Sequence, residues 1–128
     1  HDEVGFNYRL PNLNAALGLT QMESLPKILE EKRIVAEKYQ EWGKANGILF
    51  FKEPMNTKAN YWLNTVITEN ITQRDAMLEQ TNNSGVMTRP AWTLMSKLPM
   101  FKDSQKGNLS SSEWLEDRVV NIPSSVRI

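Results

Sequence analysis

Gly5-Phe6-Asn7-Tyr8-Arg9-Leu10-Pro11-Asn12-Leu13-Asn14-Ala15-Ala16-Leu17-Gly18 changes character at its midpoint. Before Pro11 it sets an amide, Asn7, and a guanidinium, Arg9, among a glycine and two aromatic rings. In an extended segment Asn7 and Arg9 point to one side and Tyr8 to the other, so a neutral donor and a cation share a face. That pair suits a phosphate or a carboxylate. On spacing alone Arg9 reads first as a helix cap or as the partner of a surface acid, the usual role of an isolated arginine. After Pro11 the stretch opens a helix. Asn12 is placed to cap it, and Leu13, Ala16, Leu17 and Thr20 share one face. Ala15, Ala16 and Gly18 keep this helix slim, so that another helix or chain can approach closely.

Further along, Pro26 suits a first helical turn, where its missing N–H is not needed. The spacing predicts a second helix from Pro26 to Asn46 with an apolar stripe of Ile28, Val35, Tyr39 and Trp42. Its charged residues, Lys32 and Arg33 among them, read as a solvated face, with Arg33 and Glu37 spaced to pair. Gly47 is positioned to stop the helix in a left-handed conformation. Ile48 to Phe51 reads as a short strand. Tyr61 to Thr68 alternates, with Tyr61, Leu63, Thr65 and Ile67 on one side. Thr72 is placed to cap a helix ending near Asn82-Asn83-Ser84-Gly85. Val86 to Arg89 reads as a strand closed by Pro90. Ser110 and Glu113 form a capping box for a helix to Arg118, and Val119 to Ile122 is a last strand. This order predicts an α+β fold in which helices pack on a short, mainly antiparallel sheet.

Composition narrows the function. The 128 residues suffice for one domain with a single core. Fifteen basic and fifteen acidic residues cancel, so there is no electrostatic case for nucleic acid or an anionic membrane surface. No apolar run approaches a membrane span, and a cytoplasmic location is the default expectation. There is no cysteine, hence no disulfide or thiolate metal site. The one histidine stands at the first position, which argues against a histidine metal centre or a catalytic triad. No phosphate-loop, dinucleotide, nucleophile-elbow or zinc-protease motif is present. The carboxylates are spread over helical surfaces, so nothing points to general acid–base work by this chain alone.

The residues of interest are therefore binders. Thr88-Arg89-Pro90-Ala91-Trp92 sets a guanidinium near an indole, a possible platform for a planar ring. The same residues also read as a core tryptophan beside a solvated arginine. Trp62 and Trp114, in a strand and an amphipathic helix, read as core.

The stretch Gly5 to Gly18, followed by Gln21-Met22-Glu23, resembles the sugar aminotransferases of the DegT/DnrJ/EryC1/StrS family. Arg33, Ala36 and Tyr39 match the helix that follows that motif. Thr88-Arg89-Pro90 and Leu98-Pro99-Met100-Phe101 stand where the family has its second motif. Val120-Asn121-Ile122-Pro123-Ser124 resembles its terminal segment. The likeness covers nearly the whole chain. Arg89-Pro90-Ala91-Trp92-Thr93-Leu94-Met95 and Glu113-Trp114-Leu115-Glu116-Asp117-Arg118 are most similar to the transaminases of legionaminic acid-type sugar synthesis.

The resemblance implies a fold-type I enzyme that uses pyridoxal phosphate. It implies transfer of an amino group from glutamate to a keto group on a nucleotide-linked sugar, in surface-polysaccharide or nonulosonic acid synthesis, by a cytoplasmic homodimer. The family's Schiff-base lysine belongs to a large domain upstream, and none of the nine lysines here stands in that motif. Residues 1–128 are accordingly expected to be the C-terminal small domain, without a catalytic residue and inactive alone. By the same resemblance Asn7 would reach the cofactor phosphate of the neighbouring subunit, and Arg9 would help hold anionic groups there. Tyr8, Arg89, Trp92 and Ser96 are the substrate-side candidates. Two positions depart from the family: Phe6 replaces the usual tyrosine, and Ser96 falls where many members place a histidine that contacts substrate. Two rivals remain. One is a dehydratase of the same superfamily in which histidine replaces the lysine. The other is a non-catalytic regulatory or oligomerisation domain on the same scaffold.

Overall fold

The structure is a computed structural model that describes residues 3, 5, 6 and 8–126. Its frame is a long helix, α1 (Asn12–Asn46), laid beside a small antiparallel sheet. The sheet holds β1 (Asn64–Ile67), β2 (Arg89–Pro90) and β3 (Val119–Ile122) in the order β1-β3-β2. Helix α2 (Ile71–Asn83) joins β1 to β2, and α3 (Ser110–Glu116) leads into β3. Two single 3₁₀ turns, Met95–Lys97 and Pro99–Phe101, lie between β2 and α3. The α+β architecture with a mainly antiparallel sheet is as expected.

The expected break between two N-terminal helices does not occur. One helix of 35 residues runs through Pro26, and its N-cap is Pro11, not Asn12. Pro26 removes one backbone hydrogen bond, but good helix formers on both sides carry the helix across it. Gly47 ends α1 as expected, at φ 70°. The face that meets the sheet is built from small residues: Ala36 and Gly43 are buried, whereas Trp42 is more than half exposed. Their lack of bulk lets Phe50 seat against the helix. Phe50 stacks on Tyr39 with ring centroids 5.6 Å apart and meets Trp42 edge-on at 6.5 Å. Phe50, Val66, Val120 and Ile122 form the core, with Tyr39, Ile48, Met77 and Leu78 packed around them. The first turns of α1 project beyond this core, and Leu13, Leu17, Leu19 and Met22 are exposed.

Two strand expectations shift. Ile48 to Phe51 makes only an isolated bridge, Phe50 to Val66. The alternation expected of β1 is present, with Asn64 and Val66 facing inward and Thr65 and Ile67 half-buried. Asn64 tolerates burial because Ser124 Oγ accepts from its backbone N–H at 2.7 Å and from its Nδ2 at 3.2 Å. The expected strand at Val86 to Arg89 is reduced to Arg89–Pro90, paired with Val120 and Asn121.

The helix starts shift too. Asn70, not Thr72, caps α2 by accepting from Gln73 N at 2.9 Å, and Gln73 Oε1 reaches back to Glu69 N. Ser110 is the first residue of α3 rather than its cap, and Asn108 Oδ1 accepts from Ser110 N. At the far end of α2, Asn82 exchanges hydrogen bonds with the backbone of Thr88, and the hydroxyls of Thr81 and Thr88 meet at 2.6 Å. Those contacts aim β2 and the segment after it.

Candidate functional site

An open cleft of about 570 Å³ lies where the β2 segment, the end of β3 and the loop before β1 converge. Trp62, Met87, Arg89, Trp92, Thr93 and Ser124 are among its walls. The Trp62 and Trp92 rings stack, with centroids 6.2 Å apart and planes inclined by 25°. Both stay open to solvent, at 64% and 70% exposure. Trp62 is therefore not core, contrary to its reading as an inward strand residue. Trp114 is also about half exposed, with the Arg118 guanidinium over its ring at 4.6 Å.

The placement of Trp62 follows from two charged residues of α1. Arg33 pairs with Glu53 in a two-pronged contact, Nη1 to Oε1 at 2.8 Å and Nη2 to Oε2 at 3.4 Å. It also donates to the Ala59 carbonyl and lies 5.1 Å from the centre of the Tyr61 ring. The expected Arg33–Glu37 pair gives way to this geometry, because Glu53 matches the guanidinium fork. The hydrogen bond to Arg33, helped by the Ala59 amide, holds the Glu53 carboxyl below its ordinary value, and the same bond raises Arg33. Lys32 Nζ donates to the carbonyls of Ser124 at 2.8 Å and Trp62 at 3.3 Å. Lys32 and Arg33 are thus clamps on the loop, not members of a solvated face. Between them Tyr61 adopts φ 47°, a left-handed conformation that costs a side-chain-bearing residue about 1 kcal/mol or more. Asn60 Oδ1 accepts from Trp62 N at 3.0 Å across this residue. The bend turns the Trp62 indole outward.

The opposite wall is set by β2. Asn121 Nδ2 donates to the Pro90 carbonyl at 3.3 Å, and its Oδ1 accepts from Thr65. Arg89 is exposed on the rim, with a long contact from Nη2 to the Met87 sulfur. It is the one ionised side chain among the described residues lining this cleft. Arg89 and Trp92 therefore share a site, as an arginine–indole platform requires, and Trp92 is not a core residue.

The other candidates lie elsewhere. Ser96 is half-buried and lines a separate cavity of about 380 Å³ with Leu94, Met95, Phe101 and Leu109. That cavity is braced by Glu116, whose carboxylate accepts from Leu94 N at 3.0 Å and pairs with Lys97. Burial pushes Glu116 up, but the Lys97 and Leu94 hydrogen bonds outweigh it and hold the carboxyl below its ordinary value. The same pair raises Lys97. Tyr8 and Arg9 are exposed on the segment before α1, with the Tyr8 ring 6.1 Å from that of Phe6. Asn7 lies outside the described residues. Among the described residues no helix is long and apolar enough to cross a membrane.

The comparisons with known proteins agree along the whole chain. The family model described as the DegT/DnrJ/EryC1/StrS aminotransferase family matches residues 1–128. A GDP-perosamine synthase of Vibrio cholerae is 32% identical over 127 residues, which are 97% of this chain and 35% of that protein. A dTDP-4-amino-4,6-dideoxy-D-glucose transaminase of Escherichia coli is 25% identical over 126 residues, 93% of this chain and 34% of that protein. The chain thus spans about a third of the length of the curated relatives it matches. Among solved structures, Helicobacter pylori PseC, an aminotransferase of pseudoaminic acid biosynthesis, superposes with a TM-score of 0.78 at 19% identity. That match covers 94% of this chain and 34% of PseC, and at this identity it speaks to the fold.

Proposed function

Because the chain belongs to the DegT/DnrJ/EryC1/StrS aminotransferase family, we propose that it is the C-terminal small domain of a pyridoxal phosphate-dependent nucleotide-sugar aminotransferase. The reaction would carry an amino group from glutamate to a keto group on a nucleotide-linked sugar, in a cytoplasmic homodimer. The observation that carries this reading is the family match over all 128 residues. The sugar-aminotransferase names of the relatives support its substrate class.

The residue types before α1 fit the phosphate of such a cofactor. An amide and a guanidinium donate hydrogen bonds, and the guanidinium adds positive charge, which a phosphate dianion requires. Arg9 is exposed, so it is accessible to a group held chiefly by other parts of the protein. When bound, pyridoxal phosphate supplies the electron sink for bonds at the amino-bearing carbon. This chain's residues would do the holding: Asn7 at the phosphate of the neighbouring subunit's cofactor, and Arg9 beside it. Arg89 and Trp92 would face the substrate from their shared cleft. Tyr8 and Ser96 would face it from surfaces that the rest of the protein completes. The legionaminic acid-type likeness makes a nonulosonic acid precursor the first substrate to try.

The test uses the full-length protein. Asn7→Ala should weaken its affinity for pyridoxal phosphate, read by equilibrium dialysis, while leaving the unfolding temperature of the cofactor-free protein unchanged. Unaltered cofactor affinity would refute the assignment of Asn7.

A further inference from the structure

We propose that the Trp62–Trp92 pair is a stacking shelf for the heterocyclic base of a nucleoside diphosphate, with Arg89 receiving its phosphates. The inference rests on the nucleotide-sugar reading and adds to it Trp62, which neither the sequence motifs nor the family resemblance singles out.

Three observations converge. Two large indoles are stacked yet open, at 64% and 70% exposure, so an outer ring face is available to extend the stack. Exposing so much aromatic surface is unfavourable unless something covers it. The shelf is held rather than incidental: Lys32 donates to the Trp62 carbonyl, Arg33 holds Ala59 and the left-handed Tyr61 just before it, and Asn121 holds the Pro90 carbonyl two residues before Trp92. Holding Tyr61 in a strained conformation to turn an indole outward has no benefit to the core, which Trp62 does not join.

Shape and charge select the occupant. A volume of about 570 Å³ is that of a small-molecule site. The walls are mainly apolar and aromatic, and the one ionised group among the described residues that form them is a cation. A planar ring joined to an anion satisfies both features, with the ring on the indoles and the anion at Arg89. Stacking is tolerant of base identity, because every base offers a π-face. The shelf would therefore add affinity without choosing among nucleotides, and selectivity would come from polar groups elsewhere.

The experiment is calorimetric titration of the full-length protein with GDP, with UDP and with inorganic pyrophosphate, which lacks a base. Trp62→Ala and Trp92→Ala should each weaken the nucleotides by roughly tenfold to a hundredfold and leave pyrophosphate unchanged. Trp92→Phe keeps a stacking ring and should stay within a few-fold of the unsubstituted protein. Arg89→Ala should weaken nucleotides and pyrophosphate alike. Both tryptophans are exposed, so unchanged unfolding temperatures are expected to accompany these losses. Tryptophan variants that bind GDP and UDP as tightly as the unsubstituted protein would overturn the shelf and leave the nucleotide-sugar reading standing. Equal losses for pyrophosphate and nucleotides in those variants would also overturn it. Failure of the unsubstituted protein to bind either nucleotide would overturn the reading on which the shelf rests.

Discussion

Replacing Gly43 with alanine should destabilise the fold, although alanine is the better helix former. A Cβ built on Gly43 would press into the Phe50 ring and stand 2.7 Å from both the Ile48 carbonyl oxygen and Phe50 Cε2. Neither neighbour can give way freely. Phe50 is 6% exposed and held between Tyr39 and Trp42 on one side and the sheet on the other. The Ile48 carbonyl is backbone, and Ile48 N–H is tied to Gly43 O at 2.9 Å. Overpacking costs about 1–3 kcal/mol in general; contacts this short to backbone and to a buried ring put Gly43 in the upper part of that range, about 2–3 kcal/mol, while the gain in helix propensity returns about 1 kcal/mol. The net loss is about 1–2 kcal/mol, or a fall in melting temperature of roughly 3–10 °C for a domain of this size. Gly18→Ala is the matched control, since among the described residues nothing lies within 4 Å of a Cβ placed there. It should hold or raise stability by up to about 1 kcal/mol. Thermal and urea unfolding followed by circular dichroism would measure both. A Gly43→Ala chain as stable as the original would refute the close seating of Phe50 on α1.

Two further perturbations probe the ends of the sheet. Ser124→Ala removes the acceptor for the buried Asn64 N–H and a donor to the Ile122 carbonyl, and should cost about 1–3 kcal/mol in urea unfolding; a loss below a few tenths would show that Asn64 finds another partner. Glu116→Gln tests the brace between the 3₁₀ turns and α3. Glu116 is held below its ordinary value when folded, so its ionised form stabilises the fold above the unfolded carboxyl's pKa, and this contribution fades as pH falls through the folded one. The melting temperatures of the glutamine variant and the original should differ at neutral pH and converge in acid; a constant gap from neutral to acid pH would contradict the brace.

The elements with local signals were legible in the sequence. The last strand, the Gly47 stop and the end of α2 each depend on nearby residues, and the structure has them where their patterns put them. The misreadings arise where a distant partner decides. Pro26 reads as a start within its own turn, yet α1 continues through it. The alternation of β1 is legible, but which side is buried is not, because Ser124, the partner that lets Asn64 be buried, lies 60 residues away. Lys32 and Arg33 looked solvated because their partners, at Glu53, Ala59, Trp62 and Ser124, are remote in sequence. In the site, Arg89 and Trp92 are close enough in sequence to be read together. Trp62 joins them only through the fold, and its one local signal was the Asn60 side chain set to bend the chain before it.

The most direct test of the aminotransferase assignment is transfer of isotopically labelled nitrogen by the full-length protein. Glutamate labelled at its amino nitrogen would be incubated with the protein, pyridoxal phosphate and a panel of nucleotide-linked keto sugars, and the products analysed by mass spectrometry. The label is expected on the sugar of at least one nucleotide-linked product, with 2-oxoglutarate formed in equal amount. Loss of a sugar hydroxyl as water with no label transferred would contradict it and assign the protein to sugar dehydration instead.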